Sequence, residues 1–133
     1  TRKESSAASD VYKRQVTEEP CVFFRIPGGE YNNEVLRTIY ACGSYPVAWS
    51  VDSMDWKEYE AGELVRQLLQ SCTIRDGEIL RFHGEGENTG EMVKLLHPRL
   101  KEEGYKAVTV SQMVYKDRYR MTTDGRQIPE KSK

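Results

Sequence analysis

From Pro20 onward, short apolar runs alternate with longer amphipathic stretches, and the alternation predicts strands and helices in turn. Cys21–Phe24 reads as a strand that ends in a loop, Arg25-Ile26-Pro27-Gly28-Gly29. Asn32 or Asn33 can cap the helix that follows, because its side-chain oxygen accepts a free N–H of the first turn. Val35, Leu36, Ile39 and Tyr40 give that helix an apolar face, and Gly43 fits its stop. Pro46–Trp49 is the next strand, with Val51-Asp52 leaving it. Leu64, Val65, Leu68, Leu69 and Cys72 then share one side of a helix over Ala61–Ser71. The turn signal Asp76-Gly77 opens a strand, Ile79–Phe82, with His83 at its C-terminal end. A further helix begins at Asn88-Thr89 and carries Met92, Val93, Leu96 and Leu100. Pro98 inside it predicts either a kink or the first turn of a second segment. After Gly104, Ala107–Val110 reads as a last strand and Ser111–Val114 as a short helical turn.

The order is β-α-β-α-β-α-β, with connections of the length that parallel pairing needs. Continuous apolar strands separated by helices predict an α/β fold with parallel strands and both sheet faces covered. Four strands would leave two raw edges, which suggests a sheet or barrel that has been cut. Residues 1–19 are polar without a sustained period and are expected to be disordered. Their Ser5-Ser6-Ala7-Ala8-Ser9-Asp10 run resembles a library-linker or assembly scar. Residues 20–115 form the body, and residues 116–133 read as a charged, mobile tail.

Charge narrows the function classes. The 20 basic and 21 acidic residues nearly cancel, which argues against a nucleic-acid or membrane-surface partner. No apolar run reaches the roughly 18 residues of a membrane span. Cys21, Cys42 and Cys72 are odd in number and widely spaced, so they read as core thiols and not as a disulfide framework or a zinc cluster.

Three polar candidates each follow a strand: Arg25, Asp52 and His83. The C-terminal ends of parallel strands lie together, so the three are expected to converge. A carboxylate beside a histidine fixes its tautomer and suits it to general acid work. Asp52 is therefore expected within about 2.6–3.2 Å of His83. Arg25 could hold a second carboxylate in a bidentate pair.

Three blocks are more specific: Phe24-Arg25-Ile26-Pro27-Gly28-Gly29, then Trp49-Ser50-Val51-Asp52-Ser53-Met54-Asp55-Trp56, then Gly77-Glu78-Ile79-Leu80-Arg81-Phe82-His83. In this order they resemble motifs of the polysaccharide deacetylases, the carbohydrate esterases of family four. Glu102-Glu103-Gly104-Tyr105-Lys106 with Val108-Thr109-Val110-Ser111 is similar to that family's closing helix and strand. The resemblance runs from Cys21 to Val114 and implies the C-terminal half of the catalytic domain, a partial (β/α) barrel lacking its N-terminal part. It implies a metal-dependent hydrolase, with zinc the expected metal, that removes N- or O-acetyl groups from peptidoglycan, chitin or xylan. It also implies an extracytoplasmic or cell-envelope place for the parent protein. By the same resemblance, His83 is the general acid, Asp52 its tuning carboxylate and Arg25 the residue that orients the base. The Gly28 N–H is an oxyanion donor and Trp56 a pocket wall.

Two positions depart from the family pattern. Arg81 stands where a bulky apolar residue usually lines the acetyl pocket, and strand alternation puts it on the face of His83. A cation there disfavours both an apolar methyl and a protonated imidazole. Gly28 stands where many members carry an aromatic. The family's aspartate pair and its His-x-x-x-His metal ligands have no counterpart before Arg25, so the chain alone is expected to hold no metal and to be inactive. His97 reads as a surface histidine, and Glu85 and Glu87 lack the second imidazole a metal site would need. Two other readings stay open. One is a non-catalytic carbohydrate-binding relative in which Arg81 marks a lost pocket. The other is an unrelated flavodoxin-like domain with a phosphate at Gly84–Gly86, which Glu85 and Glu87 would repel.

Overall fold

The clearest amphipathic stretch folds as its spacing predicts: an α-helix spans Ala61–Ser71 and buries Ala61, Leu64, Val65 and Leu68. This computed structural model describes Gln15, residues 21–84 and residues 86–130. The expected scar at residues 1–19 lies outside the described residues, apart from Gln15. The chain divides into two units, Thr1–Ser50 and Val51–Lys133.

In the first unit, β1 (Phe23–Arg25) and β2 (Tyr45–Val47) pair in parallel, with Phe24 beside Pro46. Helix α1 (Asn33–Ala41) connects them. Asn32 caps it as expected, its side-chain oxygen accepting the Val35 N–H at 2.9 Å. The helix closes with Gly43 N–H donating to Tyr40 C=O and Ser44 N–H to Ile39 C=O, a Schellman ending. After β1, Pro27–Gly29 forms one tight 3₁₀ turn. Gly29 there lies against the Trp49 indole, so closely that a Cβ would meet the ring at 3.0 Å.

In the second unit, β3 (Val51–Asp52) and β4 (Leu80–Arg81) pair in parallel, Val51 beside Leu80 and Asp52 beside Arg81. Helix α2 (Ala61–Ser71) links them, and α3 (Thr89–Glu102) packs against it. Val51, Ala61, Leu64, Val65, Leu68, Met92 and Leu96 form the core, flanked by Leu80, Phe82 and Leu100. Pro98 lies inside α3, which continues through it to Glu102. Past the helix end, Tyr105 O–H donates to Ile74 C=O at 2.7 Å and ties this terminus to the loop before β4.

Two expectations fail here. Ala107–Val110 is not a strand, because Thr109 caps the short helix α4 (Val110–Met113) and gives its N–H to the Gln112 side chain. A ladder would have needed that N–H. Nor is the charged stretch from residue 116 a tail without regular structure. β5 (Tyr119–Met121) and β6 (Gln127–Pro129) form an antiparallel hairpin across Asp124-Gly125. Arg126 reaches from this hairpin to Glu78 at 3.4 Å.

The core sets the first test. Leu64 is 2% exposed, and Leu64→Ala is expected to cost about 2–5 kcal/mol, through lost transfer energy and a residual cavity. Urea unfolding should show a lower midpoint at an unchanged slope.

Candidate functional site

A turn after β3 builds the site. Asp52 Oδ1 accepts the Met54 N–H at 3.0 Å, an Asx-turn that holds Met54 in the left-handed region at φ +55°. The reversal carries Asp55 inward, where it is 1% exposed. A carboxylate taken out of water needs donors to replace its hydration, and Asp55 has five. Ser53 Oγ donates at 3.0 Å, the His83 N–H at 3.0 and 3.1 Å to the two oxygens, and the Gly84 N–H at 3.3 Å. Thr89 Oγ1, in the first turn of α3, donates to the same carboxylate, and His83 Nδ1 lies 2.8 Å from Oδ1. Burial pushes the Asp55 carboxyl up, but the hydrogen bonds from Thr89, the His83 backbone and ring, and Gly84 outweigh it. The group is held well below the usual carboxylate range and stays ionised.

The carboxylate on His83 is thus Asp55, where the sequence pointed to Asp52. The strand register explains the exchange. Asp52 lies directly beside Arg81 across the β3–β4 pair, and its Oδ2 meets Arg81 Nη2 at 2.7 Å. The same Arg81 nitrogen lies 2.6 Å from His83 Nε2, so Arg81 and His83 do share a face. Trp56 stands edge-on to the imidazole, ring centroids 6.4 Å apart, and is 57% exposed. The Lys57 ammonium lies 5.9 Å from its ring centre. Gly86 closes the back of the site, and a Cβ there would come within 2.6 Å of the Asp55 carbonyl oxygen.

Arg25 and Gly28 belong to the first unit, Arg25 exposed at the end of β1 and Gly28 in the turn after it. A Cβ at Gly28 would have open space, but at φ +71° a side chain is strained. The second unit brings together Asp52, Asp55, Trp56, Arg81 and His83. Sequence reading missed Asp55 as the partner. The signal available was its place directly before Trp56, three residues past the strand-end aspartate.

Among the described residues, no three His, Cys, Asp or Glu side chains gather as a metal site. Both nitrogens of His83 are engaged, and His97 is exposed on α3. These residues do not fit a metal ion. Glu87 is exposed, and Glu85 lies outside the described residues.

No family model matches the chain. It is 32% identical over 102 residues to a peptidoglycan-N-acetylglucosamine deacetylase of Bacillus cereus, covering 73% of this chain and 46% of that protein. A chitooligosaccharide deacetylase of Azorhizobium caulinodans is 33% identical over 60 residues, 45% of this chain and 28% of its own length. Among solved structures, a CE4 family pseudoenzyme of Bacillus anthracis superposes with a TM-score of 0.75 at 23% identity, over 84% of this chain and 38% of that one. The fold is accordingly the mixed α/β fold of these deacetylases. The chain is similar in sequence and fold to polysaccharide deacetylases of carbohydrate esterase family four, and it spans less than half the length of the curated relatives it matches.

Asp55→Asn tests the electrostatics. Removing one member of a buried charge network is expected to cost about 3–5 kcal/mol. The folded carboxyl titrates below its unfolded value. Its stabilisation is therefore complete above about pH 4 and is lost as the pH falls below that. Urea unfolding between pH 7 and pH 3 should show this acid loss in the wild type and a flatter profile in Asp55→Asn.

Proposed function

We propose that this chain is the C-terminal half of the catalytic barrel of a polysaccharide deacetylase that hydrolyses N- or O-acetyl groups on a peptidoglycan- or chitin-like glycan. One observation carries the reading: a buried, ionised carboxylate hydrogen-bonded to the ring of a partly exposed histidine, with an exposed tryptophan beside it. The named activities of the sequence relatives support the substrate class.

In this reading Asp55 holds His83 Nδ1–H, and the ring delivers a proton from Nε2, the nitrogen that faces Arg81, to the departing amine or alkoxide. Trp56 offers the broad apolar face on which a sugar ring packs. The resemblance to the family would make the Gly28 N–H an oxyanion donor and Arg25 the residue that orients the base. Asp52 acts through Arg81. The cofactor expected for such hydrolysis is a divalent metal, zinc foremost, which would supply Lewis-acid chemistry. The described residues do not fit it, so the reading assigns both metal ligands and base to the upstream part of the parent protein. A peptidoglycan substrate would place that parent at the cell envelope. No helix among the described residues is long and apolar enough to cross a membrane.

The test is acetate release from an acetylated chitooligosaccharide with added zinc. The 133-residue chain is expected to release none. The parent chain should be active and should lose roughly 10²–10⁴ in rate with His83→Ala, the usual share of a positioned acid. Zinc-dependent release by the short chain would overturn the division of labour, and a parent indifferent to His83→Ala would overturn the acid assignment.

A further inference from the structure

We propose that Arg81 is a cap on His83: it fixes the imidazole as the neutral Nδ1–H tautomer and occupies the Nε2 lone pair, so the ring takes up no second proton while the cap is in place. Two independent contacts impose the same state. An ionised carboxylate can only accept, so the Nδ1 that faces Asp55 at 2.8 Å carries the hydrogen. A guanidinium can only donate, so the Nε2 that faces Arg81 at 2.6 Å must be bare. A proton on Nε2 would set two donors against each other at that distance.

Arg81 is held for this task. It is the register neighbour of Asp52, and the nitrogen that meets His83 also meets Asp52 Oδ2 at 2.7 Å. The Nη2 group has two hydrogens, one for each partner. The side chains of Arg81 and Asp52 are 19% and 18% exposed, so solvent competes weakly for the contact. Asp52, Arg81, His83 and Asp55 thus form a chain of alternating acceptor and donor groups with a carboxylate at each end.

The inference rests on the proposed function only for its consequence. If His83 protonates a leaving group, the guanidinium must first withdraw from Nε2, and Arg81 is a positioning residue that controls when the ring can carry a second proton. The state of the ring can be read without substrate or metal.

Nitrogen-15 NMR of the histidine-labelled 133-residue chain at neutral pH is expected to show His83 with a protonated Nδ1 and a bare, pyridine-like Nε2. Observation of the Nε2–H tautomer, or of the imidazolium, in the wild type would overturn the proposal whatever any variant does. Diethyl pyrocarbonate, which acylates an unprotonated imidazole nitrogen, supplies the second readout by mass spectrometry. His83 should react slowly relative to exposed His97, although 28% of its side chain is exposed. Arg81→Leu and Arg81→Met should each raise the His83 rate several-fold and leave His97 unchanged. Equal rates in wild type and both variants would also sink the cap. Neither result depends on deacetylase activity, so the cap and the catalytic reading fail separately.

Discussion

The Asp55 carboxylate is the point on which the second unit turns. A charge that is 1% exposed has given up nearly all its water, and its five donors must stand in for that water at once. Those donors come from the β3 turn, the end of β4 and the first turn of α3. One ion therefore fixes the relative placement of three elements whose helices are otherwise joined through apolar contact. The apolar core could tolerate small shifts of Leu64 or Met92, but the hydrogen bonds to Asp55 could not.

Much of this architecture was legible. The spacing of Leu64, Val65 and Leu68 predicts α2 to its observed ends, and Asn32 predicts the start of α1. Both are local signals, set by helix period and first-turn chemistry. The failures are where local signals compete. Ala107–Val110 has strand composition, yet Thr109 and Gln112 complete a capping box and take the backbone out of reach of a ladder. The hairpin at Tyr119–Pro129 was hidden by its charges, although Asp124-Gly125 between short alternating runs was the turn signal that marked it.

The candidate site shows the same division. His83 at the end of a strand and Trp56 beside it were legible from order and family resemblance, and so was the shared face of Arg81 and His83. Which aspartate serves the histidine was not. Position along the strand favours Asp52, and register then commits Asp52 to Arg81. Asp55 reaches the ring only because the chain reverses through Met54 in a left-handed conformation, a feature no spacing rule announces. Arg81 departs from the family pattern, and its two contacts make it part of the site's wiring.

Four of the five donors to Asp55 lie 28 to 34 residues away along the chain. The carboxylate–imidazole pair therefore cannot exist before α2 has returned the chain from β3 to β4. The backbone N–H groups of His83 and Gly84, close to the surface and outside any helix, are locked to a buried anion. In hydrogen exchange they should behave as core amides, opening with the packing of α3 and not with the loop that carries them.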